Sequence, residues 1–264
     1  MLKRLLSITF LLLTLVALGQ VPAQNAMISR QVRFENASFL VVDVDLRRAK
    51  LELHWRNPAG NPFLNFQALE DYLTANGQRL LAVMNAGIFE TNSRPLGLHI
   101  ERGQILRRLN SRRNGYGNFY LQPNGVFYLE KTASGSRARL QSTVAFERTH
   151  PEIREIGDSK QVLEATQSGP MLLIDGKLNT AFKADSGNRL IRNAIGVRTS
   201  NRVVLVLTET PVNFHTLARF MRDQLECKDA LYLDGNISNL YVPGNAKNSS
   251  SISDFGGMIT VLEP

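Results

Sequence analysis

The hydrophobic positions of the chain fall into many short runs with period two, and only two stretches have helical spacing. Phe39, Val41, Val42, Val44 and Leu46 alternate around Asp43 and Asp45, and residues 51–55 alternate again. Such a period places one set of side chains on one face of a strand. Residues 79–84, 161–166, 171–174, 203–207, 230–233 and 258–262 are further apolar or β-branched runs and read as strands, with a short helix as the alternative at 161–166. Another strand is expected to start near Leu240. Two helices are expected. Phe66, Leu69 and Leu73 share a stripe, as do Leu217, Phe220, Met221 and Leu225 within 214–225.

Punctuation supports this division. Residues 57–62 read Asn-Pro-Ala-Gly-Asn-Pro and mark a loop. Gly103 suggests a turn between strands at 98–105. Asn124-Gly125, preceded by Pro123, suggests a hairpin joining 118–121 to 126–129. Residues 131–143 read as a loop or a polar edge strand, and 243–253 as a surface loop. Many strands, few helices and no internal repeat predict a single α+β domain with a mixed or largely antiparallel β core.

The N-terminus has a different pattern. Lys3 and Arg4 precede an uncharged stretch from Leu5 to Gly19, and small residues follow at Val21-Pro22-Ala23. This is the layout of a secretory signal over residues 1–23, leaving 24–264 as the mature domain. The alternative is an uncleaved anchor. The apolar stretch is shorter than the ~20 residues of a membrane span. The expected location is the periplasm or the cell exterior, with no stable membrane span after cleavage.

Composition sharpens the picture at three points. The formal charge is +8, and loss of Lys3 and Arg4 with the signal makes it +6. The rest is scattered, with Arg107-Arg108 and Arg112-Arg113 the densest clusters. No nucleic-acid partner is expected from this pattern. Cys227 is the single cysteine and follows an amphipathic stretch, so a buried, inert thiol is expected. His54, His99, His150 and His215 show no metal spacing. His150 precedes Pro151 in a stretch that reads as an exposed loop, and His215 begins the second helix. Asp175, Asp185, Asp234 and Asn236 offer oxygen atoms but no calcium-loop spacing, and neither metal nor cofactor is expected.

Common catalytic motifs are missing: there is no P-loop, GxGxxG, GxSxG or HExxH. Instead, several apolar runs end abruptly in small and polar residues. Val83-Met84 meets Asn85-Ala86-Gly87, the 163–167 run meets Ser168-Gly169-Pro170, and Leu231-Tyr232-Leu233 meets Asp234-Gly235-Asn236. Such ends present short polar groups and backbone amides on a rigid scaffold.

These three blocks and a fourth carry a resemblance. Asn85-Ala86-Gly87-Ile88-Phe89, Ser168-Gly169-Pro170, Arg192-Asn193-Ala194-Ile195-Gly196 and Asp229 through Gly235 match, in order and spacing, blocks of the phosphodiester glycosidase family. The chain resembles its secreted bacterial branch over about residues 37–262. Two blocks depart from the family pattern. Asp234-Gly235 continues into Asn236-Ile237-Ser238 rather than Gly-Gly-Ser, and Thr208-Glu209-Thr210 stands where many members carry Asp-Gly-Arg.

The resemblance implies a hydrolase that cleaves a sugar-1-phosphodiester into free sugar and a phosphomonoester. Cleavage at an anomeric carbon builds oxocarbenium character, which a carboxylate can stabilise, attack, or relieve by activating water. Asp234 is the first candidate and Glu209, one position from the family's acid, the second. Arg192 is the candidate phosphate clamp, since a guanidinium fork matches two phosphate oxygens, and Arg198 is its substitute. Asn85, Ser168, the Gly169 N–H and Asn236 are candidate substrate contacts, and Gly87 permits close backbone approach. The expected partner is a small-molecule or envelope-polymer sugar phosphodiester. The alternative is a non-catalytic sugar- or envelope-binding module that keeps the fold.

Overall fold

The computed structural model describes residues 25–133, 135–235, 237–244 and 254–264. The signal segment 1–23, Asn236 and most of the loop expected at 243–253 lie outside the described residues. In chain order the strands begin with β1 (Met27–Phe34), β2 (Ala37–Asp45) and β3 (Lys50–His54). Helix α1 (Phe66–Ala75) follows, then β4 (Leu80–Asn85), β5 (His99–Glu101), β6 (Gln104–Arg107), β7 (Gly125–Thr132) and β8 (Gly135–Ser142). Helix α2 (Thr143–Thr149) precedes β9 (Gly157–Asp158), β10 (Val162–Ser168), β11 (Met171–Ile174), β12 (Lys177–Leu178), β13 (Asn193–Thr199) and β14 (Arg202–Thr208). Helix α3 (Phe214–Asp223), β15 (Asp229–Tyr232), β16 (Leu240–Tyr241) and β17 (Met258–Leu262) complete the described elements.

Among the described residues these strands form three sheets, in the orders β1-β2-β14-β13-β15-β11-β12, β8-β7-β10-β5-β6-β9 and β16-β4-β17-β3. Every pairing is antiparallel. The α+β class with few helices is therefore correct, and the β core is antiparallel rather than mixed. No described helix is long and apolar enough to cross a membrane.

The sheets pack around one core. Val42 and Val44 of β2, Ile195 of β13 and Leu205 of β14 meet Leu53, Met84 and Ile259 of the four-stranded sheet and Phe127 and Leu129 of the six-stranded sheet. The outer face of each sheet is covered by one helix, whose apolar stripe supplies the reason. Leu217, Phe220 and Met221 of α3 lie on Phe39, Val41 and Val204. Phe66, Leu69 and Leu73 of α1 lie on Val83, Met258 and Leu262. Phe146 of α2 lies on Val126, Tyr128 and Ile100. Burying a side chain of this size stabilises the fold by about 1.5–3 kcal/mol. Each helix starts on a capping side chain: Asn65, Ser142 and Asn213 accept backbone N–H bonds from Ala68, Ala145 and Thr216.

Several expectations need correction. Residues 118–120 form a 3-10 turn, not a strand, so the hairpin expected across Pro123-Asn124 does not exist. The Phe119 carbonyl is occupied by the Asn124 side-chain amide, which bends this segment onto itself (3.1 Å). The true hairpin is β7 with β8, and residues 135–142 pair along their whole length. Residues 162–168 are strand rather than helix. His150 is buried, not exposed, and stacks on Phe146 with ring centroids 4.4 Å apart. Cys227 is buried against Gly196, where an added Cβ would lie 2.6 Å from its sulfur, and burial pushes the thiol up to about 12.

Candidate functional site

Three strands, one from each of the three sheets and far apart in the chain, end at one place. Asn85 ends β4, Ser168 ends β10, and Asp234 lies just beyond β15. A fourth residue, Asn193 at the start of β13, ties them together. Its Nδ2 donates to the Asn85 main-chain carbonyl (2.9 Å) and to Asn85 Oδ1 (3.0 Å). Its Oδ1 accepts from the Asp234 backbone N–H (2.8 Å) and from the Ser238 hydroxyl (3.3 Å). One fully buried amide thus cross-links the two candidates through both of its halves.

The orientation of Asn85 follows from the same bonds. Its Oδ1 also accepts the Asn239 backbone N–H at 2.8 Å, so two donors face that atom. Exchanging oxygen and nitrogen would set donor against donor. Asn85 Nδ2 is therefore the other half of the amide, and it is buried with no hydrogen-bond partner among the described residues. An unmet buried donor costs about 1–3 kcal/mol. Asp234 is also buried, and the Ser238 hydroxyl donates to its main-chain carbonyl.

Ser168 belongs to this cluster. Its hydroxyl donates to the Leu233 carbonyl at 2.6 Å, directly before Asp234, and receives the Ile88 N–H at 3.4 Å. Gly87 is required where the chain leaves β4. An added Cβ would lie 2.5 Å from the Gln167 carbonyl and 3.2 Å from Ser168 Cβ. Gly169 is fixed by packing in the same way, since its Cβ would lie 2.8 Å from the Phe119 carbonyl. Thr166 holds the Gly87 N–H (3.3 Å).

Arg192 is not a surface charge. It is fully buried, and its pKa is lowered by that burial. Its Nε donates to the Val212 carbonyl (2.8 Å), and Nη2 donates to the main-chain and side-chain oxygens of Asn188 (3.0 and 2.9 Å). The guanidinium lies over the Phe214 ring at 3.9 Å and 5.6 Å from the centre of Tyr232. Nη1 has no hydrogen-bond partner among the described residues. Tyr232 joins this half of the site to the other. Burial pushes its phenol up to about 12, the Arg192 charge opposes that shift and the Asp234 charge adds to it. Gly235 must be glycine here, since a methyl group would strike the Tyr232 hydroxyl. Asn118 also reaches that hydroxyl (3.4 Å) and, with Asn188, Phe214 and His215, lines a cavity of about 300 Å³ beside Arg192.

Asn85, Gly87, Ser168, Gly169 and Asp234 are therefore brought together, with Arg192 reached through Tyr232. Glu209 is not brought into the cluster. Its carboxylate is exposed and accepts from Gln31 of β1 at 2.8 Å, while its N–H bonds the Ser38 carbonyl. Arg198 is also elsewhere, paired with Asp43 (2.8 Å) and Glu226 (3.1 Å). Sequence reasoning missed Asn193, Tyr232, Ser238 and Asn239. The available signal was a polar residue opening an otherwise apolar strand, Asn193 before Ala194-Ile195.

The chain resembles known proteins in sequence family and in fold. Residues 78–257 match the family model described as phosphodiester glycosidase. The chain is 32% identical over 237 residues to the uncharacterised protein YigE of Escherichia coli, covering 90% of this chain and 85% of that protein. Its fold is similar to the catalytic domain of zebrafish N-acetylglucosamine-1-phosphodiester alpha-N-acetylglucosaminidase, auto-inhibited by its pro-peptide. The TM-score is 0.60 at 16% identity, over 92% of this chain and 85% of that one. A Burkholderia pseudomallei protein is similar at TM-score 0.54 and 14% identity, over 86% and 74% of the two chains. With the family model matching residues 78–257, more than half of the sequence, the chain belongs to the phosphodiester glycosidase family.

Proposed function

We propose that the protein is a hydrolase that cleaves a sugar-1-phosphodiester at its anomeric carbon, releasing free sugar and a phosphomonoester. The observation that carries this reading is the Asn193 bridge, which holds Asp234 and Asn85 in fixed relation at the meeting of strand ends. A phosphodiester leaving group is a weak base and needs little protonation. One carboxylate beside the developing oxocarbenium centre then suffices, and Asp234 takes that role. Asn85 Nδ2, an unmet buried donor, binds a sugar oxygen. Arg192 Nη1 and the cavity beside it receive the phosphate side, where a buried guanidinium acts strongly because water does not screen it.

The test is sugar release from a panel of sugar-1-phosphodiesters. Asp234→Asn should lower turnover at least about 100-fold while ligand binding persists. A second reading, a binding module without turnover, is favoured by one observation: Glu209 is engaged by Gln31, leaving a single candidate carboxylate. Wild-type protein that binds the panel but releases no sugar would establish that reading. Export through a signal cleaved after Ala23 is part of the proposal. Amino-terminal sequencing of the mature protein from cell fractions checks it, and retention of Met1 in the membrane fraction would replace it with the anchored form.

A further inference from the structure

A second cavity, of about 550 Å³, opens where the end of β3 faces β5 and β6, and four arginines line it. Arg56, Arg94 and Arg102 are exposed and Arg107 is half-buried. A single acidic residue, Glu101, shares the lining, and its carboxylate is already engaged. Oε1 accepts the Trp55 backbone N–H (2.6 Å) and lies 2.9 Å from His99 Nε2, while Oε2 is 3.5 Å from Arg102. Arg102 also approaches Glu52 (3.9 Å), and Arg94 pairs with Glu90 (3.0 Å).

The other two arginines have no carboxylate partner among the described residues. Arg56 lies over the Trp55 ring at 3.9 Å. Arg107 spends Nε on the Pro95 carbonyl (2.9 Å), its one side-chain hydrogen bond among the described residues. Its pKa is lowered by burial and then by the charges of Arg94 and Arg56, with the Glu90 charge opposing them. An independent sign comes from the wall. Trp55 Nε1 is buried without a hydrogen-bond partner among the described residues, His54 Nε2 makes no hydrogen bond but lies 3.7 Å from the Glu52 carboxylate, and both residues line this cavity. Buried polar atoms are normally satisfied, so the unmet Trp55 N–H in a residue of this wall calls for a partner.

We propose that this cavity binds a phosphate-type oxyanion, at a site separate from Asp234. Crowded guanidiniums repel one another, and an anion between them removes that repulsion. A phosphate group offers several oxygens and up to two charges, matching a set of guanidinium forks. A single carboxylate leaves most of those donors unused. The space is adequate for a phosphorylated sugar or a headgroup.

Trp55 is the only tryptophan in the chain, so its fluorescence reports this cavity alone. The full protein is titrated at constant ionic strength with sodium pyrophosphate and, separately, with phosphatidylglycerol vesicles. A saturable change in Trp55 emission is expected with at least one probe. The soluble arm identifies a free or sugar-linked phosphate, and the vesicle arm a lipid headgroup. Arg107→Ala should raise Kd at least about tenfold, and Arg107→Lys should fall between it and wild type, since it keeps the charge and loses the fork. Arg56→Gln, an exposed change, should also weaken binding, which guards against a folding failure at Arg107. Asp234→Asn should bind as wild type. Equal responses to both probes and to sodium chloride, or wild-type Kd values in both arginine variants, would overturn the proposal.

Discussion

At the residue scale, the site rests on Asn193 more than on any residue a motif would single out. It is fully buried and spends its amide on partners 108 and 41 residues away. Asn193→Ala leaves Asn85 Oδ1 and the Asp234 N–H each without one partner. We expect a stability loss of about 1–3 kcal/mol in denaturant titration. We also expect kcat to fall at least about tenfold with a smaller change in KM, because the residue positions groups rather than binding substrate. Cys227 sets the opposite expectation. Its raised pKa and burial predict no labelling by a thiol reagent at pH 8 until denaturant is added, and labelling of the folded protein would contradict that. Asp234, Asn85 and Ser168 were legible as positions because each stands where a strand-like run gives way to small and polar residues. Asn193 was not, because its meaning lies in contacts across the chain.

At the element scale, the three helices do the same job and start in the same way. For α3 the cap has extra duties. Asn213 accepts the Thr216 N–H (2.9 Å) and donates to the carbonyls of Ala184 (3.1 Å) and Ser186 (3.0 Å). Asn213→Ala should therefore cost about 2 kcal/mol, more than a simple cap, in urea unfolding. It should also disturb the cavity beside Arg192, since Ser186, Phe214 and His215 form its wall. The long apolar strands and both amphipathic helices were legible from period alone. The polar strands were not. β1 reads Met-Ile-Ser-Arg-Gln-Val-Arg-Phe and is mostly exposed, and β8 carries Arg137 and Arg139 toward Glu130. Edge strands are held by backbone pairing and carry little hydrophobic signal. Helix α2 is seven residues long, too short for a stripe to stand out.

At the scale of the whole molecule, two buried titratable groups sit where the four-stranded and six-stranded sheets meet. Glu164 of β10 accepts the N–H groups of Leu53 (2.8 Å) and Arg102 (2.9 Å), and burial pushes it up to about 8. His54 of β3 is held down at about 4 by burial. A raised carboxyl means the folded state holds more protons, so its stability contribution is lost as pH rises toward 8. A lowered histidine means the folded state holds fewer, so its contribution is lost as pH falls from about 6.5 toward 4. The two slopes oppose each other between about pH 4.5 and 6.5, and above that range only Glu164 acts. Stability should fall by about 1.5 kcal/mol between pH 6.5 and 8. Thermal unfolding across that range checks it, and Glu164→Gln should flatten the fall from a lower starting point. The sheet count and packing order behind this coupling were not readable in the sequence, because period reports which face is buried and not what covers it.

The position of β17 has a temporal consequence. It lies between β4 and β3 in the four-stranded sheet, and its first residue, Met258, pairs with Asn85. A chain emerging N-terminus first presents β3 and β4 to solvent some 170 residues before β17 arrives, with the open edge of β4 waiting. Until then the strand that carries Asn85 has no β17 neighbour on that side. The strand that carries Asn85 is therefore paired on that side only when a single five-residue strand from the end of the chain is in place.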